Sequence, residues 1–407
     1  MGYQPVHSSK TPGVLIVVIL TCILCSYHVP FSTIYCIRVI KPPVPVRAVT
    51  NNTKTSQCPD VLHKMTQGRW ITRPLTVAEI QKSEEFYALA LERLRVPASL
   101  QRPDGHCGNV GYWGVSHFIR ALCSPIGPTP CCFNFRCKNI GVEQCRCSNC
   151  WDLRQSIHAE YSTWKTSDPR CSLQNEISTE EMCELLDGAY IHFIGDSLIR
   201  HMYKGLLMTV SQNFEDDTLN STEDAAVKKR CSNWNMFKEK LCHLNVQRKT
   251  SEFCRGRFLL KYSAYCNFQF SDKFHKAFFE APREKRSYFV VGIGLHVGLD
   301  SNSIYNQYLK PVIDFMAGHP WPKLMWVHLH APGSRKRSTT QNEPHVLAFN
   351  ERMANHLRPH GIPTMPTYNM TIGVRSFDGT HYAKGINVLK AKIFLNYLKE
   401  LQTKGIW

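Results

Sequence analysis

The spacing of apolar residues changes along the chain, and these changes predict where strands and helices lie. Short, almost wholly apolar runs at 189–194, 258–262, 288–293 and 324–329 have the length of strands. Such runs are typical of parallel strands, which helices cover on both faces so that no polar face remains. Four buried strands are therefore predicted in the second half of the chain.

Helical spacing, with an apolar residue every three or four positions, appears between and after these runs. It is found at 198–207, 344–357 and 385–403, and the last segment has Gly405 as its stop. In that last helix Lys390, Lys392 and Lys399 are predicted to lie off the apolar face. Alternation of strands and helices predicts an α/β fold, a doubly wound parallel sheet with helices on both faces.

Residues 58–183 form a cysteine-rich N-terminal region in which little regular structure is expected beyond one amphipathic helix at 78–95. Of the 18 cysteines, fifteen lie between Cys58 and Cys266, a density typical of an oxidising compartment. Disulfides are expected here, and the odd number leaves one thiol free or paired with another chain. A zinc site made of Cys145, Cys147 and Cys150 is the alternative.

Residues 13–37 contain no Asp, Glu, Lys or Arg and are long enough to cross a bilayer. They predict a signal-anchor transmembrane helix, with a cytosolic tail at 1–12, a stem at 38–57 and a lumenal body. The flanking Lys and Arg residues weakly oppose this orientation, but the cysteines outweigh them. A cleaved signal peptide with its apolar core at 14–25 is the alternative.

The composition limits the class of partner. An apolar fraction of 43% is that of a globular protein, and a net charge of +17 favours acidic partners. A lumenal body excludes nucleic acid and leaves acidic glycans or lipids. Sequons at Asn51, Asn220 and Asn369 predict N-glycosylation and agree with this compartment.

The candidate chemistry lies at a predicted strand end. Ligands of open α/β sheets bind at the carboxyl ends of the strands, and Gly195-Asp196-Ser197 follows one of them. A helix beginning at Ser197 would direct free N–H groups towards an oxyanion. Asp378 and His381, three residues apart before the last helix, can supply the base that a serine nucleophile needs.

Each of these motifs has a structural alternative when taken alone. Asp196-Ser197 can be a helix N-cap, and an Asp-x-x-His pair is common. Their joint placement at strand ends favours catalysis, with Ser197 as nucleophile, His381 as base and Asp378 as its partner.

The segments Ile-Gly-Asp-Ser-Leu-Ile-Arg at 194–200 and Asp-Gly-Thr-His at 378–381 resemble the GDSL/SGNH hydrolase superfamily. Within it, the chain looks like the PC-esterase branch, which includes trichome-birefringence-like and sialic acid O-acetyltransferases and the neurexophilin and PC-esterase domain-like proteins. Short motifs in the first region also resemble this branch: Gly68-Arg69-Trp70, Cys131-Cys132 and Cys150-Trp151-Asp152.

The resemblance implies an SGNH-like three-layer sandwich at 184–407, the Ser197, Asp378 and His381 triad, no metal or other cofactor, and an anchor in the Golgi membrane. The Ser197 N–H would be one oxyanion donor. The family's Gly-x-Asn-Asp block is altered here, because His296 follows Gly294-Leu295 where Asn is expected.

Other residues near these motifs are candidates for the oxyanion or substrate site. By resemblance, His296 and Gly294 would contribute to it together with Gly195 and Asp196, and the alternative for His296 is an ordinary loop histidine. Arg200, one turn beyond Ser197, would bind an acidic group of the substrate or pair with an acidic residue of its helix. Gly256 is a guess for a second glycine donor.

Two classes of function follow. The first is an esterase or O-acyltransferase acting on acyl esters, chiefly acetyl, of glycans, for which transfer would require a membrane partner that supplies the acyl donor. The second is a non-catalytic glycan-binding or interaction module that retains the fold. The acyl group, the acceptor and the choice between hydrolysis and transfer do not follow from the residues.

Overall fold

The computed structural model describes residues 58–407 with several gaps. Those gaps are 94, 96–99, 113–115, 148, 174–176, 215–223, 232–241, 243–251 and 336–339. The predicted tail, membrane span and stem at 1–57, and the sequons at Asn51 and Asn220, lie outside the described residues. No helix of the described part has the length and apolar character needed to cross a bilayer.

Strands and helices are numbered in chain order within the described residues. The strands are β1 (Gly68–Ile71), β2 (Gly111–Tyr112), β3 (Ser116–Arg120), β4 (Cys131–Phe133), β5 (Arg136–Lys138), β6 (Cys150–Asp152), β7 (Thr163–Thr166), β8 (Tyr190–Gly195), β9 (Leu259–Ser263), β10 (Ser287–Gly292), β11 (Lys323–Val327) and β12 (Thr364–Met365). The helices are α1 (Val61–Met65), α2 (Val77–Arg93), α3 (Thr179–Leu186), α4 (Ser197–Ser211), α5 (Ala225–Cys231), α6 (Ser271–Phe279), α7 (Ser301–Ser303), α8 (Lys310–Ala317), α9 (Glu343–Leu357), α10 (Tyr368–Thr371) and α11 (Lys384–Thr403). A π-helical segment, Ile304–Leu309, joins α7 to α8.

The central sheet has five strands in the order β12-β11-β10-β8-β9, and every neighbouring pair is parallel. The chain passes from β8 to β9 on one side and then returns to β10 on the other side of β8. The order therefore reverses between β8 and β10, and connections leave these two strands in opposite directions. At such a switch point an open α/β sheet has a crevice at the carboxyl ends of its strands.

Each face of this sheet packs against its own group of helices. Ile191 and Phe193 of β8 belong to a core that includes residues of α4 and α11. Ile194 of β8 and Phe289 of β10 belong to a second core with residues of α6, α8 and α9. The prediction of a parallel sheet buried on both faces is confirmed, since alternate side chains enter opposite cores.

Disulfides hold the cysteine-rich region, as the sequence predicted. The pairs are Cys58–Cys171, Cys107–Cys132, Cys123–Cys137, Cys131–Cys145, Cys147–Cys150, Cys183–Cys254 and Cys231–Cys242. Among the cysteines of the described residues, Cys266 is the one with a free thiol. The zinc alternative is wrong in this structure, because all three of its sulfurs are already bonded to other sulfurs and are not available as thiolates.

The cysteine-rich region contacts the helices of the α/β part directly. The Trp70 indole N–H donates to the carbonyl of Met370 at 2.9 Å, and the Val61 N–H donates to the Glu400 carboxylate at 3.0 Å. The Trp164 side chain is buried in the same core as Val61 and Met370. The boundary between residues 183 and 184 stays a prediction.

Helices α4 and α11 approach most closely at Gly205. A Cβ atom at this position would lie 2.2 Å from the Asn387 carbonyl oxygen, so no side chain fits without moving one of the helices. This crossing matters for function because α4 begins at Ser197 and α11 follows directly on the His381 turn.

We expect Gly205→Ala to lower the free energy of unfolding by about 1–3 kcal/mol, since the new methyl group overpacks the crossing. In an open helix interior the same change would stabilise by roughly 0.5–1 kcal/mol. Gly318→Ala is the control: its φ is −100° and its Cβ would meet nothing closer than 4.0 Å. Urea unfolding midpoints of the oxidised proteins measure both, and equal midpoints would contradict the expected clash.

Candidate active site

Ser197 lies where β8 ends and α4 begins. Asp196 is the N-cap residue, and its Oδ1 atom accepts a hydrogen bond of 2.9 Å from the Leu198 N–H. Gly195 is required immediately before it, because a Cβ there would lie 2.0 Å from the Gly292 carbonyl oxygen of the neighbouring strand. The predicted strand, tight turn and helix are confirmed.

Asp378 and His381 lie on the turn that precedes α11. Asp378 Oδ1 accepts hydrogen bonds from the backbone N–H groups of Thr380 (2.9 Å) and His381 (2.8 Å). Its Oδ2 atom is 2.7 Å from His381 Nδ1. The Ser376 hydroxyl closes the turn by accepting from the Gly379 N–H and donating to the His381 carbonyl. The carboxylate thus fixes both the turn and the imidazole.

The hydroxyl and the imidazole meet across the mouth of the sheet. Ser197 Oγ is 2.5 Å from His381 Nε2, although 184 residues separate them. With Asp378 on Nδ1, the favoured tautomer has its proton on Nδ1 and leaves Nε2 to accept from the serine. Phe377 stacks against the His381 ring at a centroid distance of 5.9 Å and restricts its rotation. The structure therefore brings all three predicted residues together in one chain of hydrogen bonds.

A cleft of about 260 Å³ lies over Ser197, at the carboxyl ends of β8, β9 and β10. Its lining residues are Gly195, Asp196, Ser197, Arg200, His201, Tyr262, Ala264, Cys266, His296 and His381. Four residues predicted for the oxyanion or substrate site, Gly195, Asp196, Arg200 and His296, are among them, and His296 is exposed there.

Two predicted glycines do not line the cleft. Gly294 is buried in the turn after β10, where a Cβ would contact Leu329 and Phe349 at 3.1 Å. Gly256 lies before β9 and so at the amino ends of the strands, the opposite edge from Ser197. That guess is wrong, and the predicted strand at 258–262 already excluded it, because a residue before a parallel strand lies at the edge opposite its carboxyl end.

Residues at the end of β9 and just after it line the cleft without having been predicted. The Tyr262 hydroxyl donates to the carbonyls of Gly195 (3.3 Å) and Asp196 (3.4 Å), so it supports the nucleophile turn. Ala264 and the free thiol of Cys266 follow it. Burial and the nearby Asp196 raise the pKa of the Cys266 thiol. Their one signal in the sequence was that they follow a predicted strand, as Ser197 does.

Asp196 is an acidic residue buried next to Ser197. Its side chain is buried, and its Oδ2 atom has no hydrogen-bond partner among the described residues. Burial raises the pKa of this carboxyl, whereas His296, His381 and Arg200 act in the opposite direction. The Asp196 carboxyl is therefore negatively charged only to the extent that these neighbours offset the effect of burial.

Basic groups are buried behind the same turn. Lys390 is fully buried, which corrects its predicted place off the apolar face of α11. Its Nζ donates to the Leu198 carbonyl at 3.3 Å and lies 3.3 Å from His330 Nε2. Burial lowers the pKa of Lys390 to about 7, while Asp196 raises it. Burial also holds the pKa values of His201 and His330 well below the usual range.

This cluster fixes the peptide next to the nucleophile from both sides. The Leu198 N–H donates to the Asp196 carboxyl, and the Leu198 carbonyl accepts from the Lys390 ammonium group.

Arg335 and the sequon residue Asn369 do not line the cleft. Arg335 is buried, with its guanidinium 4.1 Å from the centroid of the Tyr87 ring and within 3.4 Å of the Phe377 carbonyl. It supports the loop that carries Asp378 and is not exposed to a ligand. Asn369 is exposed on α10, and its amide donates to Gln67 at 2.6 Å.

Comparison with models of known protein families found no match, and comparison with curated proteins found none either. The function therefore has to be argued from the site itself.

We expect Lys390→Met to flatten the dependence of stability on pH. The unfolded chain binds a proton at Lys390 below its ordinary pKa of 10.5, and the folded chain does so only below about 7. Between these values the unfolded state holds more protons, so wild-type stability rises with pH. Below the folded value both states are protonated, and this contribution becomes constant.

Urea unfolding midpoints between neutral pH and pH about 10 measure this slope. Lys399→Met, at an exposed lysine of the same helix, should keep the wild-type slope. Parallel stability curves for wild type and Lys390→Met would show that Lys390 does not titrate in this range.

Proposed function

We propose that the protein is a serine acyl-esterase or O-acyltransferase of the SGNH type, with Ser197 as its nucleophile. The observation that carries the proposal is the hydrogen-bonded chain from Asp378 through His381 to Ser197 at the switch point of the sheet. Hydroxyl, imidazole and carboxylate in this order are the groups needed to activate a serine. The SGNH-like motifs of the sequence surround these same residues.

The reaction follows from this arrangement. Ser197 Oγ attacks the carbonyl carbon of an ester while His381 Nε2 accepts the hydroxyl proton, and Asp378 stabilises the imidazolium. The carbon–oxygen bond to the alcohol then breaks, and His381 returns the proton to the departing alkoxide. Water or a sugar hydroxyl next attacks the acyl-enzyme, with His381 as base, and the Ser197 hydroxyl is restored.

The negative oxygen of each tetrahedral intermediate needs donors. Ser197 is the first residue of α4, so its N–H belongs to the unsatisfied first turn and to the positive end of the helix dipole. We assign the second donor to His296, whose ring is exposed in the cleft.

The size of the cleft supports a short acyl group. About 260 Å³ accommodates an acetyl group and part of an alcohol, whereas a long acyl chain would require an apolar tunnel. Acetyl esters of glycans, including acidic ones, are the proposed substrates, and transfer would need a membrane partner to supply the donor. The disulfides support an oxidising compartment, and the Golgi membrane anchor at 13–37 is part of this proposal.

We expect Ser197→Ala to reduce kcat/KM on a chromogenic acetyl ester by about a thousandfold or more, because no acyl-enzyme can form. A fluorophosphonate probe, which labels activated serines, should label wild type at Ser197 and not this variant. His381→Ala should lose both signals to a similar extent.

Ser211→Ala is the matched control, since Ser211 ends the same helix and its hydroxyl makes only local contacts: it donates to the Met208 carbonyl and accepts from the Asn213 N–H. It should retain wild-type turnover and labelling. Equal turnover by wild type and Ser197→Ala would refute the triad, and absence of both turnover and labelling in wild type would favour the non-catalytic glycan-binding module.

His296→Ala should lower kcat on the same ester by about a hundredfold with little change in KM, as expected for a donor that acts mainly in the transition state. His296→Asn should recover most of this loss, because an amide N–H can donate as the imidazole does. If both variants match wild type, His296 is not an oxyanion donor.

A further inference from the structure

A second and much larger depression lies beside the His381 turn. It is a groove of about 1630 Å³, bordered by α2, the segment 158–167 and the first turns of α11. Ala383 and Lys384 line it, two and three residues after His381. One end of the groove therefore adjoins the turn that carries the catalytic base.

The charges lining this groove are almost all positive. Five cations from distant parts of the chain converge on it, namely Lys82, Lys165, Arg375, Lys384 and Lys392. Glu160 is the one carboxylate among its described lining residues. Burial raises the pKa of Glu160, and its Oε1 atom accepts from the Gly385 N–H at 3.4 Å. The groove therefore has an excess of positive charge.

Two of these lysines keep their charge available, since Lys82 and Lys165 are exposed and have no ion-pair partner among the described residues. Lys384 Nζ donates to the Phe214 carbonyl at 2.7 Å, and its charge acts on the Glu160 carboxyl. Arg375 differs, since it pairs with Glu84 at 3.2 Å and lies over the Tyr87 ring. Cations that are not neutralised within the protein are suited to an anionic ligand.

Aromatic rings and hydroxyl groups occupy the space between the cations. Trp70, Phe86 and Tyr161 are partly exposed and line the groove, as do the hydroxyl side chains of Ser162 and Thr163. The apolar faces of sugar rings pack against aromatic side chains, and sugar hydroxyls exchange hydrogen bonds with Ser and Thr. An acidic peptide would use the cations but has no comparable need for these flat faces.

We propose that this groove binds an anionic glycan chain, carrying carboxylate or sulfate groups, and presents it to Ser197. Presentation of the glycan to Ser197 rests on the proposed function, since it identifies the substrate class of the same site. Binding of the glycan in the groove is inferred independently, from the charge, the aromatic rings and the size of the groove.

The test measures binding of a heparin-derived oligosaccharide to the full-length chain in detergent micelles by isothermal titration. Wild type should bind it, with affinity falling as salt rises, because salt screens exposed charges. Lys82→Gln/Lys165→Gln should weaken binding by about fivefold to tenfold, the loss expected for two exposed charge contacts.

The matched control is Lys276→Gln/Lys310→Gln, which removes the same charge from helices α6 and α8 on the opposite face of the sheet. It should bind as wild type does. Equal weakening in the two double variants would show a general charge effect and overturn the groove. Binding of poly-glutamate as tight as that of the oligosaccharide would overturn the glycan class.

Ser197→Ala separates the two proposals. It should bind the oligosaccharide with wild-type affinity, since Ser197 is not in the groove. Binding without ester turnover in wild type would leave the groove in place and refute the catalytic proposal, whereas turnover without binding would refute the groove alone.

Discussion

The close approach of β8 and β10 at Gly195 and Gly292 is the constraint on which the candidate site depends. With no Cβ at Gly195, the two backbones lie side by side up to the point where their chains turn in opposite directions. Asp196 then caps α4 and places Ser197 at the opening. A side chain at Gly195 would separate the strands and move the nucleophile away from His381.

The position of His381 depends on the packing of helix α11 against α4. Helix α11 starts just after His381, crosses α4 at Gly205 and buries Lys390 against the Leu198 carbonyl. Ser197 is the first residue of one helix and His381 lies on the turn before the other, and these two helices touch over much of their length. A hydrogen bond between residues 184 positions apart can be maintained only if such packing removes the freedom of both segments.

Much of the α/β part could be predicted because its signals are local. The apolar run of β8, the capping residues at 196–197 and the helical spacing of 385–403 each reflect burial of a whole segment. Two short elements were not predicted: β12 has only two residues, and α6 has only nine, although Phe274 and Phe278 form a buried apolar face on it. The burial of Lys390 could not be predicted either. Helical spacing identifies an apolar face, but it does not show which polar side chains a neighbouring helix covers.

By itself, the sequence determined the parallel α/β class and the disulfide bonding of the first region, and it predicted that Ser197, Asp378 and His381 form one site. These depend on local pattern and on side-chain chemistry, both of which can be seen residue by residue. Only the tertiary structure decided that Tyr262 and Cys266 enter the cleft, that Gly294 and Gly256 do not, and that five separate cations line one groove. The reason is that these relations depend on which strand ends and which surfaces the folded chain brings together. The local sequence around a residue does not show which distant residues will contact it.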